Sequence, residues 1–364
     1  MGFIGAGAVN FGGGEGPWDH ASRLERIEGL KVVGVADPDM ECARRKLDQR
    51  SGHMYEGAEV FSDFRVMLER RKPQAVWIGV PPNAHGSIDP GKDIELHCMK
   101  AGVHMFVEKP LSAFRPETVR QVARRLQAGP VVISVGYMFR YAAAINIVRR
   151  ILEETIGGGK VFMGRYNCAY SEIRKDAWWD IRAGGGPIVE QATHFVDLAR
   201  YLFGEPELAT VRALSIKLHE PAGALRDVPK KDSGALFGED VPDAFKPPCA
   251  TAAVWKFQSG ALGSLTHGTL LHREKYETEI EVWSDGLRVV LRDPYGQPRL
   301  SVRRPGTESA EEIPLTEDDP YLTEDQAFVD AIRSGDGSGI RSTYDDALKT
   351  FEFSWAIADA ATSR

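Results

Sequence analysis

GAGAVN, Gly5 to Asn10, follows a short apolar run, Met1 to Ile4. Its spacing fits the phosphate-cradling turn of a dinucleotide-binding fold, G-x-G-x-x-G, with asparagine in place of the third glycine. In such a turn the first glycine permits a tight bend and the second lets the backbone approach a pyrophosphate. The third lets the helix pack closely on its strand. Helix N-terminal amides and the helix dipole then favour the phosphates. Gly5 and Gly7 supply the first two functions, while Ala8, Val9 and Asn10 open the helix. Asn10 weakens only the third function, and Gly12 to Gly14 offer extra freedom at a remodelled helix start. Taken alone, the hexapeptide fits a plain glycine turn equally well. The residues around it decide between the two.

The next apolar, β-branched run is KVVGVAD, Lys31 to Asp37, which reads as a second parallel strand ending in an acid. A carboxylate there can accept hydrogen bonds from adenosine ribose hydroxyls and would repel a 2′-phosphate, so NAD is favoured over NADP. The competing reading of Asp37 is a strand-end turn with Pro38. Further strands are expected over Ala75–Val80, Val103–Pro110 and Val131–Tyr137. Helices are expected over 20–28, 39–50, 64–71, 88–101 and 116–127. Strands and helices alternating with short connections describe a doubly wound α/β sheet.

Beyond about residue 140 the rhythm changes. A helix over 142–154, a strand over 160–169 and a helix over 189–203 come first. Strands follow over 208–218, 250–258, 261–269, 278–284 and 288–292, with a hairpin turn at Ser259-Gly260. The segment Glu220 to Lys246, rich in Gly, Pro, Asp and Lys, reads as a long surface loop. Helices over 323–333 and 344–361 close the chain. The expected organisation is a Rossmann domain over 1–139 and an α+β domain over 140–343 with a large, mostly antiparallel open sheet. A C-terminal helix over 344–364 is expected to pack near the domain junction.

Bulk properties narrow the function. A net charge of -7 on 364 residues argues against nucleic acid as the main partner. Cys42, Cys98, Cys168 and Cys249 are widely spaced and form no C-x-x-C, which suits free thiols in a reducing compartment. No apolar run approaches the ~20 residues of a membrane span, and no signal-peptide pattern opens the chain. The expectation is a cytoplasmic protein with no membrane or nucleic-acid partner.

EKP, Glu108 to Pro110, adds chemistry. A lysine directly after a parallel strand points into the crevice where ligands of such sheets bind. Together with the glycine turn, Asp37, PPNAH (Pro81 to His85) and GGGPIVEQATHFVD (Gly184 to Asp197), this segment resembles the Gfo/Idh/MocA family of NAD(P)-dependent oxidoreductases. The resemblance runs over nearly the whole chain. It implies a Rossmann domain followed by an α/β domain whose open sheet often forms an oligomer interface, hence a homo-oligomer. It implies NAD, or NADP, as cofactor and a sugar, cyclitol or related polyol as substrate.

Position by position, Lys109 matches the family's active-site lysine, whose ammonium polarises a carbonyl or steadies an alkoxide. His194 matches the histidine that takes the substrate hydroxyl proton, and an ordinary histidine pKa suits that task. Glu190, four residues earlier and on the same face of the expected helix, matches a position often held by aspartate. It would orient His194 or bind substrate. Asp197 reads as structural. The resemblance places Pro81, Pro82, Asn83, His85 and Glu108 at the cofactor. Tyr137, Arg140, Trp179 and Arg182 are candidates for the substrate crevice, against a core role for the Trp178-Trp179 pair. Three other readings compete. One is a metal-dependent hydrolase using His194, Asp197, His267 or His272, although no H-E-x-x-H supports it. Another is an NAD-sensing regulator without catalysis. The third is an enzyme that cleaves glycosides by oxidation, elimination and re-reduction.

Overall fold

The structure, a computed structural model, describes residues 1–13, 19–50 and 52–362. Gly14, named above for its freedom at the helix start, lies outside them. The chain divides into two compact units. One comprises Met1–Tyr141 and Asp319–Leu348, the other Ala142–Asp318 and Lys349–Arg364. The helix Pro320–Ser334 therefore belongs with the N-terminal unit, whereas the sequence reading grouped it with the second domain.

The N-terminal unit is built on six strands: β1 (Gly2–Ile4), β2 (Gly34–Ala36), β3 (Glu59–Phe61), β4 (Ala75–Ile78), β5 (His104–Val107) and β6 (Ile133–Val135). They pair in parallel, in the order β3-β2-β1-β4-β5-β6. β1, β2, β4 and the last three residues of β5 are buried, as expected of a parallel sheet covered on both faces. Strand order reverses between β1 and β4. That reversal is the switch point at whose carboxyl edge ligands of open α/β sheets bind. β3, an edge strand with a charged first residue, carried too little alternation to be read from sequence. Phe328 of the helix Pro320–Ser334 packs edge-on against Trp77 (5.2 Å) and Phe106 (5.8 Å). These two rings are themselves stacked at 6.3 Å. Burying three such side chains makes this helix part of the sheet's core.

The second unit carries eight strands: β7 (Val161–Ala169), β8 (Arg212–Ile216), β9 (Ala250–Lys256), β10 (Leu262–Leu271), β11 (Tyr276–Trp283), β12 (Arg288–Arg292), β13 (Arg299–Arg303) and β14 (Glu311–Ile313). Their order is β14-β13-β12-β11-β7-β10-β9-β8. Every pair is antiparallel except β7 with β10. The expected mostly antiparallel open sheet is therefore present. Gly260 has φ +89°, and Phe257 N donates to Ala261 O at 2.8 Å, closing the β9–β10 hairpin at the expected turn. The sequence reading missed β13 and β14. In β13 only Leu300 and Val302 face inward, between exposed Arg299 and Arg303. The helix Thr193–Phe203 packs on one sheet face, where a Cβ on Gly164 would stand 3.2 Å from Phe195 Cδ1. No helix among the described residues is long and apolar enough to cross a membrane.

Candidate active site

In the N-terminal unit, the loops after β1, β4, β5 and β6 leave the same edge of the sheet. Gly5 has φ +96°, and a Cβ on it would stand 2.4 Å from the carbonyl oxygen of Gly79, so only glycine fits. Gly7 differs: a Cβ there would meet nothing within 4 Å. Protein packing does not demand that glycine, and it stands exposed at the start of the helix Ala8–Phe11. An open backbone at this point of the turn is what a pyrophosphate needs for close approach.

Asn10 is fully buried, and its Nδ2 donates to the carbonyls of Gly5 (2.8 Å) and Ile4 (3.3 Å). Close packing survives because the missing glycine has a counterpart at the end of β4. A Cβ on Gly79 would stand 2.6 Å from Val9 Cγ1 and 2.7 Å from Asn10 Nδ2. Asp37 follows β2. Its Oδ2 accepts from Ala6 N at 2.7 Å and its Oδ1 from Asp39 N at 2.8 Å. The carboxylate is thus held against the glycine turn and stays partly exposed. That position suits ribose hydroxyls and is hostile to a further phosphate.

Lys109 leaves β5 at the same edge, half-buried, with a cis bond to Pro110. Its backbone N–H donates to Glu108 Oε2 at 3.2 Å. Glu108 itself turns into the unit, where Oε1 meets His20 Nε2 at 2.9 Å. In PPNAH, Pro81 and Asn83 are exposed and Pro82 is half-buried. His85 is not on that surface. It is 1% exposed, and its Nδ1 lies 2.8 Å from Glu95 Oε1, so its role is to hold the loop rather than to line it. Tyr137 is buried. Arg140 is tied within the unit, donating to Arg341 O at 2.5 Å and pairing with Asp346 Oδ2 at 2.6 Å.

In the second unit, the helix expected over 189–203 is interrupted. Pro187–Glu190 and Thr193–Phe203 are separate helices, and Ala192 N reaches back five residues to Pro187 O at 2.9 Å. Such widened turns recur at functional sites. Glu190 therefore ends one helix and His194 begins the next, so simple four-residue spacing on one helix does not describe them. Gln191 pins the interruption to the sheet. Its Oε1 lies 3.3 Å from His267 Nε2 and accepts from Cys168 Sγ at 3.4 Å. Burial lowers the His267 pKa to about 3, so its ring is neutral. Gly185 and Gly186, at φ +80° and +86°, bring the chain into the first helix.

His194 is 8% exposed, with the ring of Tyr295 edge-on at 6.1 Å. Tyr295 lies in the loop between β12 and β13 and stacks on Tyr276 at 5.0 Å. Asp293 shapes the loop by accepting from Gln297 N at 2.7 Å. Sequence reasoning missed Tyr295, whose only signal is its place in the turn DPYGQP. Two expected substrate residues sit elsewhere. Trp179 is 2% exposed, donates to Ile173 O at 2.9 Å and packs edge-on with Trp178, which is core behaviour. Arg182 is exposed, pairs with Asp180 and lies over the Phe245 ring at 4.4 Å. Asp197 is buried and accepts from Thr350 Oγ1 at 2.8 Å, a structural role. Among the described residues, no group of three or more His, Cys, Asp or Glu is placed to hold a metal ion.

Comparison with known proteins bears on this geometry. Residues 1–137 match the model of the Gfo/Idh/MocA oxidoreductases, described as an oxidoreductase family with an NAD-binding Rossmann fold. Residues 140–287 match an oxidoreductase C-terminal domain. An uncharacterized protein of Schizosaccharomyces pombe is 36% identical, covering 98% of this chain and 90% of its own length. Inositol 2-dehydrogenase 4 of Saccharopolyspora erythraea is 27% identical over 61% of this chain and 60% of its own. The structure of a levoglucosan dehydrogenase in complex with NADH superposes with a TM-score of 0.75 at 18% identity, covering 99% of this chain and 96% of that one.

Proposed function

The chain belongs to the Gfo/Idh/MocA family of NAD(P)-dependent oxidoreductases, and on that premise we propose that it oxidises a secondary alcohol of a sugar, cyclitol or related polyol, or reduces the matching ketone. The observation that carries this reading is Lys109, which leaves β5 at the edge that also bears the glycine turn Gly5–Asn10. The inositol 2-dehydrogenase and the levoglucosan dehydrogenase named above support the substrate class.

The residues that would hold the cofactor are Gly5, Gly7, Ala8, Val9 and Asn10 at the pyrophosphate, Asp37 at the ribose, and Pro81, Pro82 and Asn83 along the loop after β4. When bound, the nicotinamide supplies the hydride acceptor or donor. The chain's own residues do the rest. In oxidation, His194 takes the proton of the substrate hydroxyl as the carbon loses its hydride. The Lys109 ammonium stabilises the negative charge that develops on the oxygen. Glu190 orients the base or binds a neighbouring hydroxyl. Glu108 serves the site from behind, through the backbone of Lys109. His85, Arg140 and Trp179 maintain the fold, and Arg182 lies at the surface.

We also place a homo-oligomer interface on the second unit's sheet. The registers Leu214↔Ala252, Val254↔Ser264, Leu262↔Val161 and Val161↔Trp283 put four large apolar side chains on one face. Leu214 is 80% exposed, Val254 and Leu262 55%, and Trp283 46%. Sedimentation of the wild type against Leu214→Glu tests it. The free cysteines suit a reducing, cytoplasmic setting.

The experiment for the reaction is a screen of cyclitols, sugars and anhydrosugars with NAD and NADP, following the reduced cofactor's absorbance, with wild type and Lys109→Ala side by side. Reduced cofactor appearing only with wild type supports the reading. Turnover that leaves the cofactor pool unchanged and cleaves a glycoside would replace it with the oxidation–elimination route. Absence of turnover on the whole panel would contradict it.

A further inference from the structure

We propose that His20, with Asp325, is a positioning residue for Lys109, acting through the Glu108 carboxylate. The inference rests on the reading of Lys109 as the reacting amine.

Four side chains far apart in sequence meet behind β5. Trp77 Nε1 donates to Asp325 Oδ1 at 2.8 Å. Asp325 lies 2.9 and 3.0 Å from His20 Nδ1 through its two oxygens. His20 Nε2 lies 2.9 Å from Glu108 Oε1. The other oxygen of that carboxylate, Oε2, accepts the backbone N–H of Lys109. The chain of contacts thus runs from a core tryptophan to the peptide that launches the lysine.

The network is buried: Asp325 is 0% and His20 4% exposed. Both ring nitrogens face carboxylates, and a carboxylate only accepts, so both must carry protons. The ring is an imidazolium. Burial by itself would discharge it, but Asp325 and then Glu108 outweigh that and raise its pKa to about 10. Glu324, the next residue along the same helix, is fully buried and held well above the ordinary carboxylate range, first by burial and then by Glu108 and Asp325. Phe106 closes the site, its ring 4.7 Å from that of His20. The end of β6 is shaped to admit the carboxylate, since a Cβ on Gly136 would stand 3.1 Å from Glu108 Oε1.

Buried ion pairs are poor sources of net stability, because desolvation cancels much of the attraction. What such a network does supply is fixed geometry. Here the geometry ends on the Lys109 amide. A displacement of about 1 Å at a reacting group can cost roughly a hundredfold in rate.

The test uses the full chain with NAD bound and myo-inositol as first probe, followed by the other polyols of the screen. In His20→Asn we expect kcat to fall about ten- to a hundredfold while the KM for NAD stays within about twofold. Amide hydrogen exchange at Lys109 should rise about tenfold, with 104–107 unchanged. Asp325→Asn carries the same expectations if the first variant does not fold. Wild-type protein at about pH 8, below the His20 value, should show both ring nitrogens protonated by nitrogen NMR. Exchange at Lys109 equal to wild type overturns the inference, as does raised exchange with unchanged kcat, or a singly protonated ring. If the wild type oxidises no polyol, the functional reading falls, and the exchange and ring measurements still decide this one.

Discussion

Gly79 can carry no side chain because Asn10 fills the space: a Cβ there would stand 2.7 Å from Asn10 Nδ2 and 2.6 Å from Val9 Cγ1. The close packing that the third glycine of the turn provides elsewhere is achieved here by a glycine on the neighbouring strand's end. Gly79→Ala should therefore cost about 1–3 kcal/mol of stability and weaken NAD binding, because the turn itself must shift. Asn10→Gly in the same chain should recover part of the loss. Chemical unfolding and NAD titration of the two single variants and the double variant check this. A Gly79→Ala protein as stable as wild type would contradict it.

Asp37 holds the Ala6 amide and, in the proposed complex, a ribose diol. Asp37→Ala should weaken NAD by about tenfold and narrow the gap between NAD and NADP, since the charge that repels a 2′-phosphate is gone. Fluorescence titration with both reduced cofactors measures the ratio. An unchanged preference would remove Asp37 from cofactor choice.

Two buried histidines set opposite pH slopes. His20, raised to about 10 between Asp325 and Glu108, contributes stability that is complete below its ordinary value of 6.5 and is lost as pH rises toward 10. Glu324, held well above the ordinary carboxylate range by burial and then by Glu108 and Asp325, adds loss in the same direction as pH rises above about 4.5. His267, lowered to about 3 by burial, works the other way, costing stability as pH falls from 6.5 toward 3. Between about pH 4.5 and 6.5 the Glu324 loss opposes the His267 gain, and above pH 6.5 the unfolding free energy should fall by at most about 1.4 kcal/mol per pH unit for each raised group. A flat midpoint between neutral pH and pH 10 would contradict the imidazolium assignment.

Tyr295 rests edge-on against His194 and between Tyr276 and Tyr166. If the ring fixes the base, Tyr295→Ala should lower kcat about tenfold, while Tyr295→Phe, which keeps the edge contact, should stay near wild type. Equal turnover of all three proteins would show that His194 is held by other means.

The parallel sheet and its glycine turn were legible because β1, β2, β4 and β5 are apolar runs followed by glycine, acid or EKP. Local pattern was enough. Two edge strands, β3 of the parallel sheet and β14 of the second sheet, were not: both carry charged residues and gain their order from a single neighbour. Helix continuity failed at Gln191, where a contact to His267 and Cys168, distant in sequence, widens one turn. Periodicity cannot register such a bond. The same holds for His20 and Asp325, separated by 305 positions, whose meeting only the fold can supply. Trp179 and Arg140 had the composition of a polyol site, but Trp179 Nε1 is committed to Ile173 O and the Arg140 guanidinium to Arg341 O and Asp346. Side-chain chemistry alone cannot distinguish a polar group that awaits a ligand from one already satisfied.

Lys109 is proposed to serve the reacting oxygen rather than the cofactor. Steady-state turnover of Lys109→Ala on the polyol that the wild type oxidises, beside its NAD dissociation constant, tests this most directly. The kcat of Lys109→Ala should fall about a hundred- to a thousandfold, with NAD affinity within about twofold of wild type. Undiminished turnover, or a loss confined to NAD binding, would contradict it.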